Sequence, residues 1–294
     1  MTDFEIISPA TIKELFIVIK KCGKDNFRFG AGYTDLLNEL RKKTEPELKI
    51  INLAQVKDSQ FTGIKTGIRG LWIGAMTTIQ QLVSNQIINR EFPVLHQSAS
   101  SLASTQVRNV ATIGGNICTA SPSGDVSCAL VSLNASCEIL RVDGRTRMIS
   151  IQDFFLGPRK TLLNRDEVLY RIFIPQNKPT SVSVHSGFIK VGTRQSMECS
   201  VVSLAFHIQS DKKSKIIKAG LAIGAASPTI RFTESACNFL IDKTLKNISE
   251  SIKDEFAENV VVYASPISDL RASAWYRKEV LYNISKSVLE VNPS

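Results

Sequence analysis

The spacing of hydrophobic positions changes character several times along this chain. Ile12, Leu15, Phe16 and Ile19 recur at helical spacing. Ser8-Pro9 ahead of them reads as an N-cap and first helical residue, and Cys22-Gly23 ends the pattern. Residues 27–31 (Phe-Arg-Phe-Gly-Ala) read as a short strand running into a glycine turn. Leu36, Leu37 and Leu40 then mark the inner face of a polar helix over 34–41, and 48–53 is a second strand. The opening is therefore α-β-loop-α-β, a small α/β unit. From Phe61 the pattern turns to hairpins, with 61–64 facing 70–74. Thr77-Thr78 cap a helix carrying Ile79, Leu82 and Val83, and 92–103 is a second helical stretch. Residues 126–133 read as an apolar helix. Residues 137–142 and 147–149 form a hairpin across Asp143-Gly144, and 168–174 is a strand ending at Pro175.

The segment Gln176-Asn177-Lys178-Pro179-Thr180 is polar and flanked by prolines, which places a domain boundary there. The expected division is 1–176, in subdomains of about 1–57 and 58–176, followed by 177–294. Beyond the boundary come three strands, 183–190, 200–208 and 216–223, with Lys212-Lys213 at a hairpin tip. Helical patterns follow over 231–240, 248–263 and 273–289. A run of strands followed by a run of helices is the mark of an α+β domain.

Composition narrows the function classes. A chain of 294 residues with 43% hydrophobic and 21% charged residues is that of a globular protein with room for two or three units. No apolar run approaches the roughly 20 residues that span a bilayer. The opening Met1-Thr2-Asp3-Phe4-Glu5 is no secretory signal, so a cytoplasmic location is expected. The six cysteines contain no C-x-x-C pair, which points away from zinc and iron–sulfur sites, and no metal is expected. The three histidines are far apart and receive no catalytic role. A net charge of +9 is accounted for by solvated helix ends and hairpin tips; its functional alternative is a basic face toward an acidic partner or anionic cofactor. Few aromatics interleave with the basic runs, which argues against nucleic acid.

The candidate chemistry lies in two glycine-bearing segments. The first is Gly30-Ala31-Gly32-Tyr33-Thr34-Asp35. The second runs Ala111-Thr112-Ile113-Gly114-Gly115-Asn116-Ile117-Cys118-Thr119-Ala120-Ser121-Pro122-Ser123-Gly124-Asp125. Glycines let a backbone approach a ligand closely, and hydroxyls, amides and successive N–H groups suit phosphate and sugar oxygens. Two such loops converging could hold a pyrophosphate. Neither is a P-loop, since no Gly-Lys-Ser/Thr occurs, and neither is the Gly-x-Gly-x-x-Gly fingerprint.

Gln106-Val107-Arg108-Asn109-Val110 running into the second segment closely resembles the second flavin-binding loop of the FAD subunit in molybdenum hydroxylases, the xanthine dehydrogenase and carbon monoxide dehydrogenase relatives. Ala31-Gly32-Tyr33-Thr34-Asp35-Leu36 is similar to that family's first loop, Ala-Gly-Gly-Thr-Asp-Leu. Residues 73–78 (Ile-Gly-Ala-Met-Thr-Thr) resemble a further family segment, and Phe188 to Arg194 the start of its C-terminal domain. Asp269 to Arg277 resembles its Asp-x-Arg-x-Ser-x-x-Tyr-Arg element. The resemblance implies an α+β chain. A two-subdomain α/β FAD-binding domain (PCMH-type) over 1–176 would precede an α+β C-terminal domain with a three-stranded sheet and helices. It also implies a heterotrimer. A molybdopterin-binding large subunit hydroxylates the substrate, a small subunit with 2Fe–2S clusters relays electrons to FAD in this chain, and an acceptor such as NAD takes them. A purine substrate of the xanthine dehydrogenase kind is the expectation.

The resemblance also distributes roles. Gly32, Thr34, Gly114 and Gly115 would bring backbone N–H groups to the pyrophosphate, with Ala31, Tyr33 and Asp35 completing that loop and the Thr34 and Thr112 hydroxyls adding donors. Asn116, Ser121 and Asp125 would meet phosphate, ribose or ribityl oxygens, Asp125 as an acceptor suiting a sugar hydroxyl or a loop N–H. Leu169 matches a position near the adenine or flavin ring, with core packing as its alternative, and Lys190 matches a lysine near the flavin. Tyr33 departs from the family glycine. Because tyrosine adopts positive φ at a cost, a local change of loop or an outward ring is expected. Tyr33 is also what keeps open a second reading, a flavin-less structural or assembly subunit on the same fold.

Overall fold

The first helix, Ile12–Cys22, is started by Thr11 rather than Ser8: the Thr11 hydroxyl accepts from the Glu14 N–H, and the Glu14 carboxylate accepts from the Ala10 N–H at 2.8 Å. This helix buries Leu15, Ile19 and Cys22. The computed structural model describes residues 4–42, 45–176, 182–194, 198–246 and 248–290. The boundary expected within 176–180 therefore falls almost entirely outside the described residues.

The amino-terminal unit is a three-stranded parallel sheet. Phe4–Ile7 and Phe27–Gly30 flank the central Leu48–Asn52, with Ile12–Cys22 and Leu36–Lys42 as its helices. The pattern reading lacked Phe4–Ile7, a short edge strand whose four side chains are all at least partly exposed. The next unit is a five-stranded antiparallel sheet, in spatial order Ile64–Gly67, Gly70–Gly74, Glu167–Pro175, Ser136–Arg141, Thr146–Ser150. Glu167–Pro175 crosses its middle and buries Val168, Leu169, Tyr170, Ile172 and Ile174. Between the second and fourth of these strands in space, the chain builds six helices, from Ile79–Ser84 to Asp125–Ser132.

The carboxyl-terminal unit has the expected strands Ser183–Val191, Val202–Ser210 and Ile216–Gly224, all antiparallel. A two-residue strand, Arg231–Phe232, extends them to four. Three helices, Glu234–Leu240, Glu250–Val261 and Ala274–Val288, follow. Arg277 is buried and donates to the Val201 and Ala225 carbonyls and to Asp269. The Asp269-to-Arg277 element thus clamps the last helix onto the ends of two sheet strands.

One helix joins the two halves. Every residue of Asp125–Ser132 is buried. Its Cys128 thiol donates to the Ala222 carbonyl, and Ala205 and Ala222 of the last sheet belong to the same hydrophobic core as Ile113, Ile117 and Leu130. Among the described residues no helix is long and apolar enough to cross a membrane.

Candidate functional site

The two glycine-bearing segments meet. The first bends between the strand Phe27–Gly30 and the helix Leu36–Lys42. Its Gly32 lies so close to the second segment that a Cβ there would stand 2.1 Å from the Val110 carbonyl oxygen. The Thr119 hydroxyl donates to the Asp35 carboxylate at 3.1 Å, tying the two together again. Arg159 adds a third tie, its N–H donating to the Ala120 carbonyl and its guanidinium pairing with Glu39.

The second segment is more ordered than a loop. Thr112 caps a helix, Ile113–Thr119, that the glycine-rich pattern concealed. The N–H groups expected to face a pyrophosphate are spent inside the protein: Gly114 donates to the Ala75 carbonyl at 2.8 Å and Gly115 to the Thr112 hydroxyl at 3.0 Å. Ile113 donates to Thr77, and Ile79 to Ala111, which gives the 73–78 segment its role as a support. Gly114 is glycine because a Cβ would meet Ala75 at 2.7–2.8 Å, and the Thr112 hydroxyl, buried, is the helix cap.

The first segment behaves in the opposite way. Among the described residues, no hydrogen bond uses the N–H groups of Gly32, Tyr33, Thr34 or Asp35. Successive unspent N–H groups form an anion cradle. Tyr33 sits within it at φ +61, so the tyrosine does adopt the left-handed conformation. Its ring turns inward, not outward: it packs beside Leu36, Leu40, Leu48 and Ile50 in the space that Gly30 leaves open. Its hydroxyl is buried and has no hydrogen-bond partner among the described residues.

The remaining residues divide between open and committed. Asn116 Oδ1 accepts from the Ser127 N–H and hydroxyl, and its amide nitrogen makes no hydrogen bond among the described residues. The Ser121 hydroxyl lies 3.1 Å from that of Ser123, in the turn before Asp125. Asp125 is buried, and each of its oxygens has a protein donor: Lys190 Nζ at 2.5 Å and the Ser200 hydroxyl at 2.7 Å. Burial pushes the Asp125 carboxyl above the ordinary range, against the pull of Lys190 and Ser200. Leu169 lies in the core on the central strand, paired with Ile139. Thr119, Val110 and Ser200 are contributors that the sequence reading did not single out. Thr119 was visible only as one hydroxyl among several, and Ser200 carried no signal.

A cofactor with a pyrophosphate fits these residues: the unspent N–H run and the Thr34 hydroxyl, which makes no hydrogen bond among the described residues, offer donors to an anion, and Asn116 and Ser121 lie on the facing segment. A family profile described as the FAD binding domain in molybdopterin dehydrogenase matches residues 2–177. A second, described as the CO dehydrogenase flavoprotein C-terminal domain, matches residues 188–290. The chain is 34% identical over 266 residues to the xanthine dehydrogenase FAD-binding subunit of Escherichia coli O157:H7, covering 88% of this chain and 86% of that one. It is 28% identical over 280 residues to the glyceraldehyde dehydrogenase medium chain of Sulfolobus acidocaldarius, covering 95% and 94%. A chain of reconstituted CO dehydrogenase from Oligotropha carboxidovorans superposes with a TM-score of 0.88 at 22% identity, over 98% of this chain and 96% of that one. The protein belongs to the FAD-binding subunits of the molybdenum hydroxylase family: it is an oxidoreductase subunit, and its cofactor is FAD.

Proposed function

We propose that this chain is the electron-transferring subunit of a heterotrimeric, cytoplasmic molybdenum hydroxylase. It would take electrons from the 2Fe–2S clusters of a small subunit, while a molybdopterin-binding large subunit oxidises the substrate, and would pass them to an acceptor such as NAD. The unspent N–H run of Gly32 to Asp35, pressed against the second segment, is the observation that carries the reading. Those N–H groups and the Thr34 hydroxyl hold the pyrophosphate. The Asn116 amide nitrogen and Ser121 hydroxyl orient the sugar side, and Lys190 presents its ammonium toward the ring. FAD supplies the capacity to accept an electron pair and return it. A purine substrate is favoured by the likeness to the E. coli xanthine dehydrogenase subunit, although the S. acidocaldarius relative is named for glyceraldehyde.

Adding NADH to the FAD-loaded chain tests the acceptor. Bleaching of the visible flavin absorbance is expected, because an acceptor site for NAD⁺ also admits the reverse electron flow. A flavin that stays oxidised with NADH but bleaches with dithionite would overturn NAD as the acceptor. Xanthine added to the isolated chain is expected to leave the flavin oxidised; bleaching by xanthine alone would overturn the division of labour among subunits.

A further inference from the structure

The Asp125 carboxylate belongs to a three-residue arrangement that the flavin reading leaves unexplained. Asp125 opens the buried helix Asp125–Ser132, Lys190 lies near the end of the edge strand Ser183–Val191, and Ser200 precedes the strand Val202–Ser210. They are brought together from 65 and 75 positions apart in sequence. Ser200 is fully buried and Asp125 is 5% exposed. The Lys190 side chain keeps 17% exposure, the most of the three.

We propose that Asp125 and Ser200 are positioning residues that hold the Lys190 ammonium in place and offset its charge. Asp125 thereby acts on the flavin through Lys190 rather than by gripping the cofactor's sugar. This rests on the reading above, in which Lys190 faces the ring. Both carboxylate oxygens are already occupied by protein donors at 2.5 and 2.7 Å. A buried carboxylate so arranged has its charge compensated at one side and its second oxygen fixed at the other. At the flavin, a lone ammonium favours the reduced, anionic cofactor, whereas an ammonium paired with a carboxylate presents a weaker dipolar field. The pair therefore limits how far Lys190 favours reduction, and Ser200 keeps the carboxylate turned toward Lys190.

The test is the midpoint potential of FAD bound to the reconstituted full chain, measured with its dissociation constant. Lys190→Met is expected to lower the potential. Asp125→Asn removes the offset and is expected to raise it, with reduced FAD gaining about tenfold in affinity over oxidised FAD, about 30 mV for a two-electron couple. Ser200→Ala is expected to move the potential in the same direction by less. In a Lys190→Met background the effect of Asp125→Asn is expected to vanish, because a buried carboxyl without its cation takes up a proton and is already neutral.

An Asp125→Asn chain that binds FAD weakly at an unchanged potential would overturn the proposal, since Asp125 would then grip the cofactor directly. So would an Asp125→Asn effect that persists without Lys190. A Lys190→Met substitution that alters neither potential nor affinity would instead sink the underlying placement of Lys190 at the ring. Ser200→Ala retains both charges and carries the test should Asp125→Asn fail to fold.

Discussion

Gly32 bears the tightest requirement on this site. A Cβ there would lie 2.1 Å from the Val110 oxygen and 2.7 Å from its carbon, both backbone atoms that cannot swing away. Gly32→Ala must therefore push the N–H cradle off the second segment. Equilibrium titration with FAD is expected to show at least tenfold weaker binding, a loss of about 1.4 kcal/mol or more. At Gly115 a Cβ meets only the Thr112 hydroxyl, at 3.0 Å, so Gly115→Ala is expected to keep most of the affinity. The reverse order of effects would mean that the second segment supplies the cradle. Sequence alone made both glycines visible without telling their uses apart, because the distinction lies in which backbone each one faces. Tyr33 was legible as a departure, but the direction of its ring was not. That direction depends on the room beside Gly30 and on four apolar side chains contributed by one helix and one strand.

Elements were legible where a period and a cap agreed. The hairpin Ser136–Arg141/Thr146–Ser150 and the final helix Ala274–Val288, capped by Ser273, fall where the pattern put them. Ile113–Thr119 was hidden because its two glycines have poor helix propensity; the Thr112 cap and the buried Ile113 and Ile117 supply what propensity does not. The strand Val202–Ser210 carries a titratable group whose neighbours no pattern reveals. His207 is buried, with Nδ1 3.1 Å from the Ser186 hydroxyl and Nε2 3.1 Å from the Gln209 amide nitrogen. Burial, with Lys218 nearby, pushes its pKa down to about 4 from an ordinary 6.5. The folded chain thus holds His207 neutral where the unfolded chain would protonate it. Its contribution to stability is complete above the ordinary histidine pKa and is lost as pH falls toward about 4. The loss across that window is roughly 3 kcal/mol by linkage. Urea midpoints of the chain at neutral and mildly acidic pH should fall together with this loss, and His207→Gln should flatten the slope over that interval. An unchanged slope in the variant would assign the acid sensitivity to other groups.

At the scale of the whole molecule, the two halves are interlocked rather than strung together. The Ala225 N–H donates to the Pro122 carbonyl at 2.7 Å, so the carboxyl-terminal sheet grips the turn that leads into Asp125. The Asp125–Lys190 pair and the buried helix Asp125–Ser132 cross the same seam. The class of fold and the family were readable because long motifs occur in order along nearly the whole chain. The seam was not, since it is made of contacts between residues 65 to 103 positions apart, such as Lys190 with Asp125 and the Ala225 N–H with the Pro122 carbonyl. In the proposed function, the N–H run of Gly32 to Asp35 and the facing segment together hold FAD. The most direct measurement is the flavin bound per chain after the purified protein is stripped, reconstituted with FAD and desalted, for the unaltered chain and for Gly32→Ala in parallel. One FAD per unaltered chain and little on the variant are expected; an unaltered chain that emerges without flavin, or a variant that retains a full complement, would contradict FAD binding at this cradle.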